Sequence, residues 1–241
     1  MISKSKIKSI TSLKQKKYRE KHGLFVGEGP KVISELKQEG LEIHSFFSVN
    51  EEEFINENHF HVTQAELQKI SFLKTANTSV AVFKMPEVKP VNNKGLTIVL
   101  DAVRDPGNLG TIIRLCDWFG VKQLICSTDT TDCYNPKVVQ ATMGSLARVA
   151  IHYVDIENYL KASSLPIYGA FMDGENVYRQ KLQQDAIIVM GNEANGVSES
   201  IEKLITEKIA IPQFGNQRTE SLNVATATAI LLSEVRRFTE M

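Results

Sequence analysis

Three short stretches in the second half of the chain combine glycines with residues that can hold an anion or a hydroxyl. The first is Asp101-Ala102-Val103-Arg104-Asp105-Pro106-Gly107-Asn108-Leu109-Gly110, with Arg114 following. It reads as a strand-to-helix turn in which Asn108 could cap the helix, whose free N–H groups bind anions. Arg114 sits one to two turns further on, where a guanidinium can grip a phosphate through two parallel hydrogen bonds. The second is Met190-Gly191-Asn192-Glu193-Ala194-Asn195-Gly196. Its glycines permit close backbone approach and positive φ, and Glu193 could hold a polar group of a ligand. The third runs from Ile209-Ala210-Ile211-Pro212 through a ten-residue polar loop, Pro212 to Ser221, into Leu222-Asn223-Val224. Ser221 would cap the next helix and Asn223 would lie on its first turn. Taken singly, each has a plain alternative: a turn with a surface arginine, a tight connection, a cap.

These loops need a scaffold. Apolar runs at Leu96–Leu100, Gln123–Cys126, Arg148–Tyr153, Ile167–Phe171 and Ala186–Met190 alternate with helical patterns at 108–119, 136–146, 155–163, 199–205 and 221–237. Continuous apolar strands alternating with helices predict a mostly parallel sheet covered on both faces. On such sheets, ligands bind beyond the carboxyl ends of the strands. Trp118 and Phe119 fall on the first of these helices and are expected in the core.

A stretch rich in proline and asparagine at 86–95 reads as an exposed linker. It separates an α/β module, residues 1–85, from a domain at 96–241. The module is read as one basic helix near 6–21, a strand at Leu24–Val26 and a helix from Pro30 to about Gln38. A strand at Ile43–Val49 follows, then a helix near 63–70 boxed by Thr63 and Glu66, and a strand at Ser79–Phe83.

The chain has 241 residues, 42% hydrophobic and 23% charged, with 28 basic and 28 acidic side chains. The zero balance excludes a global field toward a polyanion, so nucleic-acid contact must come from a local patch. One is present: Lys4, Lys6, Lys8, Lys14, Lys16, Lys17, Arg19, Lys21 and Lys31 face only Glu20 and Glu28. It can neutralise phosphates, or be a solvated amphipathic helix with Ile7, Ile10 and Leu13 on its buried stripe. Cys116, Cys126 and Cys133 form no even framework and no CxxC pair, as expected of reduced thiols in a cytoplasmic protein. No apolar run is long enough for a membrane span, and no signal peptide opens the chain. There is no P-loop and no GxGxxG loop. The histidines His22, His44, His59, His61 and His152 make no metal-spaced set with cysteines; His59 and His61 are expected on the surface.

In this order, the three loops resemble the motifs of the SpoU (TrmH-like) family of SPOUT methyltransferases. The match runs through Asp105-Pro106-Gly107-Asn108-Leu109-Gly110 with Ile113-Arg114, then Gly191-Asn192-Glu193-Ala194-Asn195-Gly196, then Ile211-Pro212 and Ser221-Leu222-Asn223-Val224. Asn135–Gly144 is similar to the family's intermediate helix. The module at 1–85 resembles its ribosomal-protein-like RNA substrate-binding domain. The resemblance implies an α/β fold with a C-terminal parallel-sheet SPOUT domain, a deep trefoil knot, a homodimer whose active site draws on both subunits, and no metal. It also implies S-adenosylmethionine bent in the knot at Gly191, Ile211 and Leu222, with Gly196 beside them. The implied activity is methyl transfer to a ribose 2′-hydroxyl of structured RNA, ribosomal RNA before transfer RNA. Arg114, Asn108, Glu193, Ser221 and Asn223 would be catalytic, and Lys14, Lys16, Lys17 and Arg19 would bind RNA. Two competing readings are a transfer-RNA ribose methyltransferase and a non-catalytic RNA-binding or ribosome-assembly protein that keeps the fold. The sequence departs from the family pattern at Ala225, where serine is common, and in a longer loop at 212–221 carrying Arg218 and Glu220.

Overall fold

The computed structural model describes residues 2–50, 58–92, 94–215 and 221–237. Arg218 and Glu220 lie outside them. In chain order the first elements are α1 (Lys4–Ser12), α2 (Lys16–His22), β1 (Leu24–Glu28), α3 (Pro30–Gln38), β2 (Ile43–Ser48), β3 (His59–His61), α4 (Gln64–Ile70) and β4 (Ser79–Lys84). Next come β5 (Thr97–Leu100), α5 (Pro106–Trp118), β6 (Gln123–Cys126), α6 (Pro136–Thr142), β7 (Ala150–Tyr153), α7 (Ile156–Lys161) and β8 (Ile167–Asn176). The last are β9 (Ile187–Met190), α8 (Glu199–Glu202), β10 (Glu207–Ala210) and α9 (Val224–Arg236).

The chain packs as two compact units, residues 1–87 with 132–148, and 88–131 with 149–241. In the first unit a four-stranded sheet runs β1-β4-β2-β3. β4 is antiparallel to both β1 and β2, and the short β3 lies parallel to β2. Ile10, Leu13, Val26, Phe47, Leu67, Ile70 and Val80 share its core. Thr63 and Glu66 form the expected capping box on α4. His61 is exposed and His59 half-buried.

The basic segment is two helices rather than one. Gln15 adopts extended angles and breaks the run. The break strips carbonyls of their helical partners, and Arg19 replaces them: its Nη1 donates to the Leu13 and Lys14 carbonyls at 2.8 and 2.9 Å. Its other nitrogens bond the Asp132 carboxylate. Arg19 is 2% exposed. The expectation that it binds RNA is therefore corrected: every face of this guanidinium is engaged inside the unit. Lys14, Lys16 and Lys17 remain exposed.

Asp132 opens the excursion 132–148, a segment that the linear reading set in the C-terminal domain but that packs with the first unit. Tyr134 lies against Phe25, with ring centroids 4.8 Å apart, α6 rests on β1, and Arg148 bonds Glu35 at 3.0 Å. The helix expected over 136–146 stops at Thr142, because Met143 and Gly144 take φ of 51° and 99°.

The second unit holds one six-stranded sheet, ordered β10-β8-β9-β5-β6-β7, and every pairing in it is parallel. Val99, Ile125, Ile156, Ile167, Ile187, Val189 and Ile201 form a core on one of its faces. The linker's later half is fastened rather than free: Asn92 exchanges two hydrogen bonds with the buried Gln123 side chain. β10 was read only as a loop approach, since four residues starting with two charges give little apolar signal.

Trp118 corrects another expectation. Leu109, Ile112, Ile113 and Cys116 form the buried stripe of α5, and Trp118 lies about 200° round the helix from Cys116. It is 84% exposed, on the same side as Thr111 and Arg114, while Phe119 is half-buried. Among the described residues the three cysteines are buried and form no disulfide, and burial pushes the Cys116 thiol well above its usual range.

Candidate active site

All three loops leave the carboxyl ends of parallel strands in the second unit, the adjacent β5 and β9 and, across β8, the edge strand β10. The first follows β5. Ala102 sits at φ 58°, held by its N–H to Ser127 Oγ at 2.9 Å and by its carbonyl, which accepts from Asn192 Nδ2 at 2.6 Å. Thr131 takes the next two carbonyls, those of Val103 and Arg104. Asp105, not Asn108, caps α5, accepting from the Asn108 N–H at 2.8 Å. That exchange frees the Asn108 side chain. Arg114 lies six residues further along α5, exposed and with no hydrogen bond or ion pair among the described residues.

The second loop follows β9 and closes on itself. Asn192 and Gly196 exchange backbone hydrogen bonds at 2.8 and 2.9 Å, and the Asn192 side chain accepts from the Ala194 and Asn195 N–H groups. Gly191 has no room for a side chain: a Cβ there would lie 2.2 Å from the Gly196 carbonyl carbon and 2.3 Å from the Val197 nitrogen. Gly196 instead needs its freedom for φ 70°, with open space around it. Buried Asp101 ties this loop to the first, accepting from the Ser198 N–H at 2.7 Å.

The third loop ends in a cap on α9, supplied by Asn223 and not by Ser221. Asn223 Oδ1 accepts from the N–H groups of Ala225 and Thr226 at 3.0 and 3.2 Å. With its oxygen so used, the amide nitrogen donates to Asn108 Oδ1 at 2.9 Å. Asn108 Nδ2 in turn donates to Glu193 Oε1 at 2.8 Å. One residue from each loop thus joins a single chain of hydrogen bonds.

Beside that chain opens a cavity of about 920 Å³. Its walls include Gly191 to Val197, Ile211, Pro212, Ser221 and Leu222. The sequence reading missed its far wall. Between Lys208 and Ile209, β10 skips from Gly169 to Glu175 of β8, so Ala170–Asp173 swing out of the ladder and into the lining. Gly174 closes the bulge, because a Cβ there would sit 2.6 Å from the Ile209 carbonyl carbon. The glycine in the Asp173-Gly174 pair was the available signal. Lys208 lines the same wall, 2.5 Å from Glu202 and 4.5 Å from the Phe171 ring centre. Of the expected site residues, Gly191, Glu193, Gly196, Ile211, Ser221 and Leu222 line the cavity, and Asn108 and Asn223 join it through the chain. Arg114 touches none of them. Among the described residues no cluster fits a metal ion and no helix is long and apolar enough to cross a membrane.

The fold and the loops have known counterparts. A 23S rRNA (guanosine(2553)-2′-O)-methyltransferase of Bacillus subtilis is 28% identical over 96% of each chain. A solved structure from Porphyromonas gingivalis, described as an RNA methyltransferase of the TrmH family, is 37% identical with a TM-score of 0.88, covering 98% of this chain and 99% of its own. The S-adenosylmethionine-bound rRNA methyltransferase of Sinorhizobium meliloti is 27% identical with a TM-score of 0.88, covering 100% of this chain and 98% of its own. Residues 4–81 match the MRM3-like substrate binding domain. Residues 95–233 match the model of the SpoU rRNA Methylase family, and the chain belongs to that family.

Proposed function

We propose that this protein transfers a methyl group from S-adenosylmethionine to a ribose 2′-hydroxyl of ribosomal RNA. The observation that carries the reading is the convergence of the three loops on one hydrogen-bonded chain, Asn223 to Asn108 to Glu193, at the rim of a cavity. Two relatives similar over nearly their full length are named as rRNA methyltransferases.

The cavity suits this cofactor. Among the described residues its ionised lining is Asp173, Glu193, Glu202 and Lys208, an acidic excess that favours a cationic ligand. Gly191, Gly196, Ile211 and Leu222 would hold it largely through backbone atoms. Bound there, S-adenosylmethionine supplies an electrophilic methyl carbon on a positively charged sulfur. The chain's own residues must then align a hydroxyl with that carbon, and positioning of this kind contributes up to roughly 7–11 kcal/mol. Arg114, always protonated, holds the neighbouring phosphate and stabilises developing charge. Asn108 and Glu193 orient the ribose, and Ser221 and Asn223 close the site.

Arg114 and Trp118 share the exposed side of α5, and a second copy of the chain covering that side would bring Arg114 to the partner's cavity. We therefore read the active form as a homodimer, working in the cytoplasm without a metal. The knotted threading of the family belongs to the same reading. The first unit supplies RNA affinity through Lys14, Lys16 and Lys17. Changing all three to glutamate is expected to weaken RNA binding and lower its logarithmic salt slope by up to about 3; an unchanged slope in filter binding would move the RNA face elsewhere.

The direct test is methyl transfer from labelled S-adenosylmethionine to total ribosomal and transfer RNA, followed by nuclease and alkaline digestion. Label in an alkali-resistant dinucleotide of ribosomal RNA is the expected result. Label in transfer RNA would reassign the substrate. No label in free RNA or in ribosomal particles, with cofactor binding intact, would leave a binding protein.

A further inference from the structure

We propose that Glu193 accepts the proton of the attacking hydroxyl, and that the cap of helix α9 orients it to do so. The inference rests on the methyltransferase reading above.

The argument is one of donors and acceptors. An asparagine amide has one accepting oxygen and one donating nitrogen, so its orientation follows from its partners. Asn223 faces two backbone N–H groups, of Ala225 and Thr226, and must turn its oxygen to them. Its nitrogen is thereby committed as donor to Asn108. Asn108 must then offer its own nitrogen to Glu193. The polarity of the whole chain is set by the two N–H groups at the start of α9. The chain ends on an oxygen that has to accept, so Oε1 is committed to Asn108 and Oε2 is the oxygen left for another donor. Only Oε1 is used; among the described residues Oε2 has no partner, and Glu193 is exposed on the cavity lining.

Arginine is a poor proton acceptor because a guanidinium holds its proton far more tightly than a carboxylate or imidazole does. Asp173 and Glu202 lie on the far wall with Lys208 between them. Asp105 is taken up in capping α5 through the Asn108 N–H, which leaves Glu193 as the carboxylate that accepts from the Asn108 side chain. In the step, the ribose oxygen bonds the methyl carbon as the carbon–sulfur bond breaks with its electron pair kept by sulfur, and the hydroxyl proton passes to Glu193 Oε2 and then to water. Asn223 and Asn108 are positioning residues here, acting through Glu193.

Two variants test this. Glu193→Gln keeps the shape but presents an amide N–H where the acceptor was. Single-turnover methyl transfer is expected to fall by a factor on the order of 10²–10⁴. The rate should then rise about tenfold per pH unit as hydroxide replaces the base, a steeper dependence than the wild type is expected to have. Affinity for S-adenosylhomocysteine by calorimetry, within a few-fold of wild type, verifies that the cavity is intact. Asn223→Asp still caps α9 but cannot donate. Asn108 then reverses and turns its oxygen to Glu193, setting two accepting oxygens against each other. This is read without turnover, by NMR titration of carboxyl-labelled glutamate in the cofactor-free protein, with Glu193→Gln assigning the signal. Asn223→Ser, whose hydroxyl both accepts and donates, should leave that titration near wild type.

A Glu193→Gln rate with a pH profile parallel to wild type removes Glu193 as proton acceptor. An unmoved Glu193 titration in Asn223→Asp removes the cap's control of it. Either result with an active wild type overturns the inference alone, whereas a wild type inactive on every RNA overturns the methyltransferase reading itself.

Discussion

Arg114→Ala is expected to lower methyl transfer by roughly 10²–10³-fold, the range seen when one preorganised electrostatic partner is removed from a reacting centre, while leaving S-adenosylmethionine affinity within a few-fold. The split follows from where the side chain lies. Arg114 is outside the cavity lining and is bonded to nothing among the described residues, so its loss disturbs neither the pocket nor the helix. Arg114→Lys should recover little, since an ammonium cannot reproduce bidentate phosphate geometry. Single-turnover rates at saturating RNA, beside calorimetric titration of the cofactor, measure both halves; full turnover in Arg114→Ala would take the residue out of the mechanism. Mixing Arg114→Ala with Glu193→Gln protein adds a second reading. If one subunit supplies Arg114 to its partner's cavity, the mixed dimers contain one complete site and activity returns. No return would assign both residues to one chain's own site.

The second large effect is expected at Gly191. A Cβ there overlaps the Gly196 carbonyl carbon, the Gly196 oxygen at 2.6 Å and the Val197 nitrogen, all backbone atoms that cannot swing aside. Gly191→Ala must therefore open the Asn192–Gly196 bridge, the same turn that carries Glu193. Cofactor affinity is expected to fall by at least about 100-fold, comparable to an overpacking cost of about 1–3 kcal/mol plus lost contacts. Gly196→Ala is the contrast. It meets no atoms within 4 Å and pays only the left-handed backbone term, roughly 1–2 kcal/mol. If both variants bind S-adenosylmethionine equally in calorimetry, the close packing of the loop is not what shapes the cavity.

What could be read in advance divides by physical cause. Strands β5, β6 and β9 were legible to within a residue because buried parallel strands are continuous apolar runs. The edge strand β10 was not, since its first two residues, Glu207 and Lys208, are charged and leave only Ile209 and Ala210 as a buried apolar signal. The site residues were legible as chemical types in glycine-bearing loops, but their jobs were not. Asn108 and Ser221 were read as caps, and the helices use Asp105 and Asn223 instead. Spacing alone cannot choose between two polar residues a few positions apart at a helix start, because the choice depends on where the neighbouring loop puts its own donors. Arg19 fails for a related reason. In a run of lysines and arginine it is indistinguishable by type, yet the break at Gln15 leaves carbonyls that a planar guanidinium fits and an ammonium does not. The far cavity wall depends on a bulge whose register lies in the pairing of β8 with β10, which no single strand contains.

The excursion at 132–148 bears on how such a protein can be cut and recombined. The chain passes between its two compact units at residues 87–88, 131–132 and 148–149, so the polypeptide is stitched rather than strung. A gene truncated at the proline-rich linker would still encode α6, Tyr134 and Asp132 without Phe25, β1 and Arg19 to receive them, and the removed half would keep a buried guanidinium with no counter-charge. A swap of the first unit between relatives thus has to carry two separate pieces of coding sequence, and the two halves are constrained to diversify together.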